Sequence, residues 1–104
     1  MTTDQVEKHR KAIREKNDNL VNYVEPDFDL LLMLYSKDVF SAEVLEEIQA
    51  ERTKGHRVQK ILEHLRYADE NSYSRFLDAL RDSNQTHVVN FINGMLELHT
   101  RAEM

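Results

Sequence analysis

Apolar residues recur at helical spacing in six blocks, separated by short polar or helix-breaking stretches. In the first block Val6, Ile13, Leu20 and Val24 share a face, with Ala12 and Val21 beside them, which predicts a helix over 4–24. Lys16-Asn17-Asp18-Asn19 is poor in helix formers, so a bend is expected near Asn17. Glu25-Pro26-Asp27 ends this helix, because proline disfavours helix in the residue before it and suits the first turn of the next. A second helix follows from about Asp27 to Lys37. It carries Phe28, Leu31, Leu32, Leu34 and Tyr35, with Leu30 and Met33 also apolar. A short helix that is apolar nearly all round either lies centrally or leaves some apolar side chain exposed for a partner.

Ser41 is a suitable N-cap for a third helix with Glu43 in its first turn, turning Phe40, Val44, Leu45 and Ile48 inward. Thr53 can cap a fourth that carries Val58, Ile61, Leu62 and Leu65 and tolerates Gly55 near its start. The run Ala68–Ser72 reads as a loop, with Asn71 or Ser72 capping a fifth helix of Tyr73, Phe76, Leu77 and Leu80. Asp82-Ser83-Asn84 is the next break, and asparagine tolerates the left-handed conformation that ends helices. A sixth helix starts near Gln85 or Thr86 and shows Val88, Val89, Ile92, Met95 and Leu96. Gly94 within it either weakens the helix slightly or lets a neighbour approach. The periodicity thus predicts an all-α fold, a six-helix bundle with short loops. One domain over 1–104 is expected, with a core of about 5–98 and residues 99–104 as a frayed tail. The apolar stripes are not sustained heptads, which argues against a coiled coil.

Composition narrows the classes. The 104 residues are 40% hydrophobic and 32% charged, too apolar for a disordered chain and too polar for a membrane-embedded one. No apolar run reaches the roughly 20 residues a spanning helix needs, and the first residues do not form a signal-peptide pattern. No cysteine is present, which excludes disulfides, thiolate metal sites and a cysteine nucleophile and fits a reducing interior. The formal net charge of −5 argues mildly against general nucleic-acid binding. That sum hides blocks of opposite sign. Residues 1–24 carry five basic and four acidic side chains, 25–51 one and eight, 52–67 five and one, and 68–104 three and six. A protein with separate acidic and basic surfaces can dock head to tail onto copies or relatives of itself.

Catalytic chemistry is hard to find. His9, His56, His64, His87 and His99 form no HExxH or His-x3-His pair, and His56 with His64 reads as a solvated helix face in preference to a zinc site. Adjacent carboxylates such as Glu46/Glu47 and Asp69/Glu70 do not face each other on a helix and are not acid–base dyads. There is no glycine-rich phosphate loop and no nucleophile elbow. The expectation is a non-enzyme with no cofactor and no metal.

Certain segments resemble a known family. Leu20-Val21-Asn22-Tyr23-Val24, Leu31-Leu32-Met33-Leu34-Tyr35, Asp38-Val39-Phe40-Ser41-Ala42-Glu43, and Glu51-Arg52-Thr53 before Val58–Leu65 are similar, in order and spacing, to segments of caspase-recruitment domains (CARDs). Asn71-Ser72-Tyr73-Ser74-Arg75-Phe76-Leu77-Asp78-Ala79-Leu80-Arg81 resembles the FxxFLxAL pattern of the family's fifth helix, and Gln85–Ile92 its sixth. The likeness runs over about residues 8–92, to CARDs of apoptosome-scaffold, adaptor and Nod-type proteins. Two departures stand out: Arg66-Tyr67-Ala68-Asp69 where many members have Arg-Gly, and Asn84 where many have glycine. The first puts the shape of that loop in doubt.

The resemblance implies the death fold, a six-helix antiparallel bundle with a kinked first helix. It also implies a cytoplasmic module in apoptotic or innate-immune signalling that recruits a caspase or adaptor through homotypic CARD–CARD contact. Its partner would be another CARD-containing protein (a caspase prodomain, adaptor or receptor), with self-association into helical oligomers as a further expectation and no role for nucleic acid or membrane. In the family a basic surface of the first and fourth helices meets an acidic surface of the second and third. By region the basic candidates here are Arg10, Lys11, Arg14, Arg57 and Lys60, and the acidic ones Asp27, Asp29, Glu43, Glu46 and Glu47. The alternatives are a CARD-only decoy inhibitor, a small helical binder of nucleic acid or acidic surfaces, and a metal-binding bundle. A death or pyrin domain is the rival for the fold.

Overall fold

A computed structural model describes residues 3–102, with side chains described for Glu7, Lys8 and 10–94. The expectations placed on the side chains of Val6, His9, Met95, Leu96 and His99 lie outside these. Among the described residues the chain is all helical: α1 (Thr3–Glu15), α2 (Asn17–Tyr23), α3 (Phe28–Ser36), α4 (Ala42–Ala50), α5 (Lys54–Leu65), α6 (Glu70–Asp82) and α7 (Thr86–Ala102). The expected first helix is α1 plus α2, broken at Lys16, whose φ of −111° and ψ of 24° leave the helical region. Asn17 fixes where the break falls, because its Nδ2 donates to Gln59 Oε1 on α5 at 2.8 Å. The bend expected from this stretch of poor helix formers is thus present, with the Asn17 side chain tied across to α5.

Two helix starts follow the expected caps: Ser41 accepts from the Val44 N–H (3.3 Å) and Thr53 from that of His56 (3.1 Å). α3 is capped by Asp27, expected as a helical residue, which accepts from the Leu30 N–H (2.9 Å). Pro26 therefore precedes the cap of α3 and lies outside its first turn. α6 also begins earlier than expected. Asp69, not Asn71 or Ser72, caps it, accepting from the Ser72 N–H at 2.7 Å. That hydrogen bond to the ionised form, chiefly, holds the Asp69 carboxyl below its ordinary pKa. Asn84 adopts the left-handed conformation as expected (φ 65°), and Asp38, in the α3–α4 turn, does so without having been foreseen (φ 58°). α7 runs to Ala102, into the segment 99–104. At Gly94 a Cβ would meet no atom within 4 Å, so no close neighbour requires a glycine there.

The core is built from the predicted stripes. Ile13, Leu20, Leu30, Leu34, Ile48, Val58, Ile61, Leu65, Tyr73, Phe76, Leu80, Val88 and Ile92 are all buried in one cluster. α6 packs on α1, α3 and α7, while α5 packs on α2 and α4. Burial raises the Tyr73 hydroxyl above its ordinary pKa, with the nearby Arg10 charge opposing it more weakly. Two polar side chains are buried among the described residues, Ser83 and Gln85, and the first donates to the Ala79 carbonyl at 2.8 Å. Gln85 is 3% exposed and clamps the backbone of Glu25, accepting from its N–H and donating to its carbonyl, both at 2.8 Å. The amide thereby ties the α2–α3 connection to the α6–α7 turn. α3 is apolar on both faces, as expected. Leu30, Leu31 and Leu34 point inward, while Phe28, Leu32 and Tyr35 stay 71%, 42% and 53% exposed.

Candidate functional site

Two surfaces of opposite charge result. On α1, Lys8, Arg10, Lys11 and Arg14 line a groove with Glu7 and with Arg66, which follows the last turn of α5. Positions 10 and 14 are four apart and so stack on one helix face. Arg10 is the anchored member: Nη1 pairs with Glu7 at 3.1 Å, and Nη2 donates to the Ala68 carbonyl, pinning the α5–α6 turn to α1. Lys11 lies 3.9 Å from Glu15. Lys8, Arg14 and Arg66 are exposed and have no ion pair among the described residues, so their charge is available to a partner. Lys8 and Arg66 were not among the basic candidates. Arg66 stands 52 positions beyond Arg14 in sequence, and only the packing of α5 against the bundle brings it there.

The remaining basic candidates do other work. Arg57 Nε donates to the Glu51 carbonyl at 2.9 Å and Nη2 to that of Gln49 at 3.4 Å. It therefore satisfies carbonyls that the end of α4 leaves open. Lys60 lies 3.9 Å from Glu63, beside a separate shallow groove with Glu51, His56 and Gln59. Neither lines the α1 groove. Two further lysines of the charged blocks are engaged elsewhere. Lys54 meets Glu25 at 2.5 Å, and Lys37 meets Asp82 at 2.7 Å, a hydrogen bond that raises the Lys37 pKa above its ordinary value.

The acidic candidates fall on α3 and α4. Asp29, Glu43 and Glu46 are exposed without an ion pair among the described residues. Asp27 is spent in part on the cap of α3. Glu47 Oε2 lies 3.0 Å from His64 Nε2, so the histidine once weighed as a metal ligand instead bridges α4 and α5, with its ring beside Phe40. Among the described residues no three His, Cys, Asp or Glu side chains gather as a metal site. Between α3 and α4 runs an apolar groove, walled by Phe28, Leu32, Tyr35, Ala42 and Leu45 and edged by Glu46. Expectation had placed exposed apolar atoms on α3, but a groove needed both helices. The α3–α4 surface thus holds an apolar trough with the Glu46 carboxylate at its edge.

These surfaces can hold an extended, complementary protein face. Among the described residues no helix is long and apolar enough to cross a membrane. The sequence model of the Caspase recruitment domain matches residues 10–94. No curated protein and no solved structure matches the chain.

Proposed function

The chain belongs to the caspase recruitment domain family, whose members are death-fold protein-interaction modules and not catalysts, and from that premise we propose that it docks CARD to CARD through its two charged surfaces. The basic side is the α1 groove with Arg14 and Arg66 outermost. The acidic side is α3–α4 with Asp29, Glu43 and Glu46. The observation that carries this reading is that Arg14 and Arg66, exposed cations without an ion pair among the described residues, share one groove, while Asp29, Glu43 and Glu46, exposed carboxylates without one, lie on α3 and α4. Contacts between such surfaces are heterologous and can propagate into an oligomer. The setting we propose is the cytoplasm, where the domain recruits a caspase or an adaptor in apoptotic or innate-immune signalling.

Sedimentation of the chain over a range of concentration and salt tests this. Self-association that weakens as salt rises from about 50 mM towards 1 M, where the Debye length falls to about 3 Å, is expected. Arg14→Glu is expected to weaken it further at low salt. Association indifferent both to salt and to Arg14→Glu would overturn the electrostatic docking. Arg57→Glu is the poorer probe, since Arg57 also closes the end of α4.

A further inference from the structure

The charges leave the apolar trough between α3 and α4 without an occupant, and the same chain carries a side chain that suits it. Tyr67 is 89% exposed, the most exposed of the large apolar residues described. Tyr23, also exposed, rests edge-on against Phe91 at 5.1 Å, and Phe28, Leu32 and Tyr35 are the trough itself. Tyr67 alone among these exposed residues has neither a ring partner nor a place in the trough. Its backbone is nevertheless fixed. Its N–H donates to the His64 carbonyl at 3.2 Å, the Ala68 N–H donates to that of Leu65 at 3.2 Å, and the Arg10 guanidinium holds the Ala68 carbonyl. A ring held out on an ordered turn loses little freedom on docking.

We infer that Tyr67 of one copy seats in the α3–α4 trough of a second copy of this chain. The argument for that occupant is matched chemistry at both ends. The knob is preceded by the exposed, unpaired Arg66, which shares its groove with Arg14. The trough is apolar along Phe28, Leu32 and Leu45 and edged by Glu46 and Gln49. A buried tyrosine needs a partner for its hydroxyl, and those two side chains offer acceptors where the apolar wall ends. The cation beside the knob then meets the Glu46 carboxylate at the edge of the hole. The turn bearing Tyr67 joins α5 to α6 and lines no part of its own copy's trough, so knob and hole can engage two different copies, the heterologous arrangement that leaves a knob and a hole free for further copies. This rests on the docking reading above and adds to it an apolar component that salt does not screen.

The test uses the whole chain in sedimentation velocity, with Tyr67→Ser and Phe28→Ser. Both residues are exposed, and unchanged thermal unfolding of each variant checks the fold. Each variant alone is expected to self-associate at least roughly tenfold more weakly than wild type, the loss typical of a central aromatic contact. Mixed in equal amounts they retain one intact knob and one intact hole, and a 1:1 complex near wild-type affinity is expected. The Tyr67→Ser loss should persist at high salt, where the Arg14→Glu loss fades. Wild-type association by Tyr67→Ser, with Arg14→Glu still impaired, would overturn the knob and leave the charge docking standing. Wild type that stays monomeric at every concentration would overturn the self-pairing itself. If neither Arg14→Glu nor Tyr67→Ser changes a measurable association, both readings fall.

Discussion

Gln85→Ala removes a side chain that joins the α2–α3 connection to the α6–α7 turn, across 60 positions of sequence. Two hydrogen bonds of 2.8 Å are lost, and each contributes about 0.5–1.5 kcal/mol net. Glu25 lies in an exposed loop, so water can reach part of its freed backbone, which keeps the expected loss near 2 kcal/mol, within about 1–3. For a domain of this size that lowers Tm by roughly 8–16 °C. Urea unfolding followed by circular dichroism should show the midpoint fall with the slope m unchanged, since the surface exposed on unfolding is the same. Gln85→Met, which keeps the volume but not the bonds, should lose nearly as much. Hydrogen exchange at the Glu25 amide should accelerate in both variants. A stability within about 0.5 kcal/mol of wild type for Gln85→Ala would refute the clamp. The clamp matters for docking because the connection it holds leads directly into Asp27, Phe28 and Asp29, the start of the trough.

Three further outcomes are expected. Gly94→Ala, placed in a helix with open space around the new methyl, should raise stability by about 0.5–1 kcal/mol in the same urea assay. Asp38→Gly should stabilise and Asp38→Val destabilise, because the positive φ at 38 costs a branched residue about 1–2 kcal/mol and glycine nothing. The depressed pKa of Asp69 means that its ionised form is favoured by the fold. Its contribution is present above the ordinary value of 3.8 and lost as pH falls through the lower folded value. Asp69→Asn should therefore flatten the acid limb of a stability–pH curve measured by urea unfolding.

The helices were legible because their stripes are regular and their caps local. Ser41, Thr53 and Asn84 each act within a few residues of themselves, and sequence spacing describes such acts completely. Asp69 was missed for a related reason: three of the four polar residues 69–72, Asp69, Asn71 and Ser72, could all cap, and which one does depends on where α5 ends. The clamp by Gln85 was invisible, since nothing in its neighbourhood signals a partner 60 positions away. The charged surfaces were legible as blocks and not as sites. A block states the sign of a segment, while the pairing of Arg57 with the end of α4 and of Glu47 with His64 depends on tertiary contact. The apolar surplus of α3 was readable, but the trough it forms required Leu45 of α4 to pack beside it.

The docking of one surface on the other is tested most directly by charge exchange between copies. Arg14→Glu spoils the basic side and keeps the acidic one, while Glu46→Lys does the reverse. Sedimentation equilibrium at low salt should find each variant alone largely monomeric. Their equimolar mixture should give a 1:1 complex that grows no further, because each pair retains one good contact. A mixture that stays monomeric while wild type associates, or variants that associate alone as wild type does, would contradict the account.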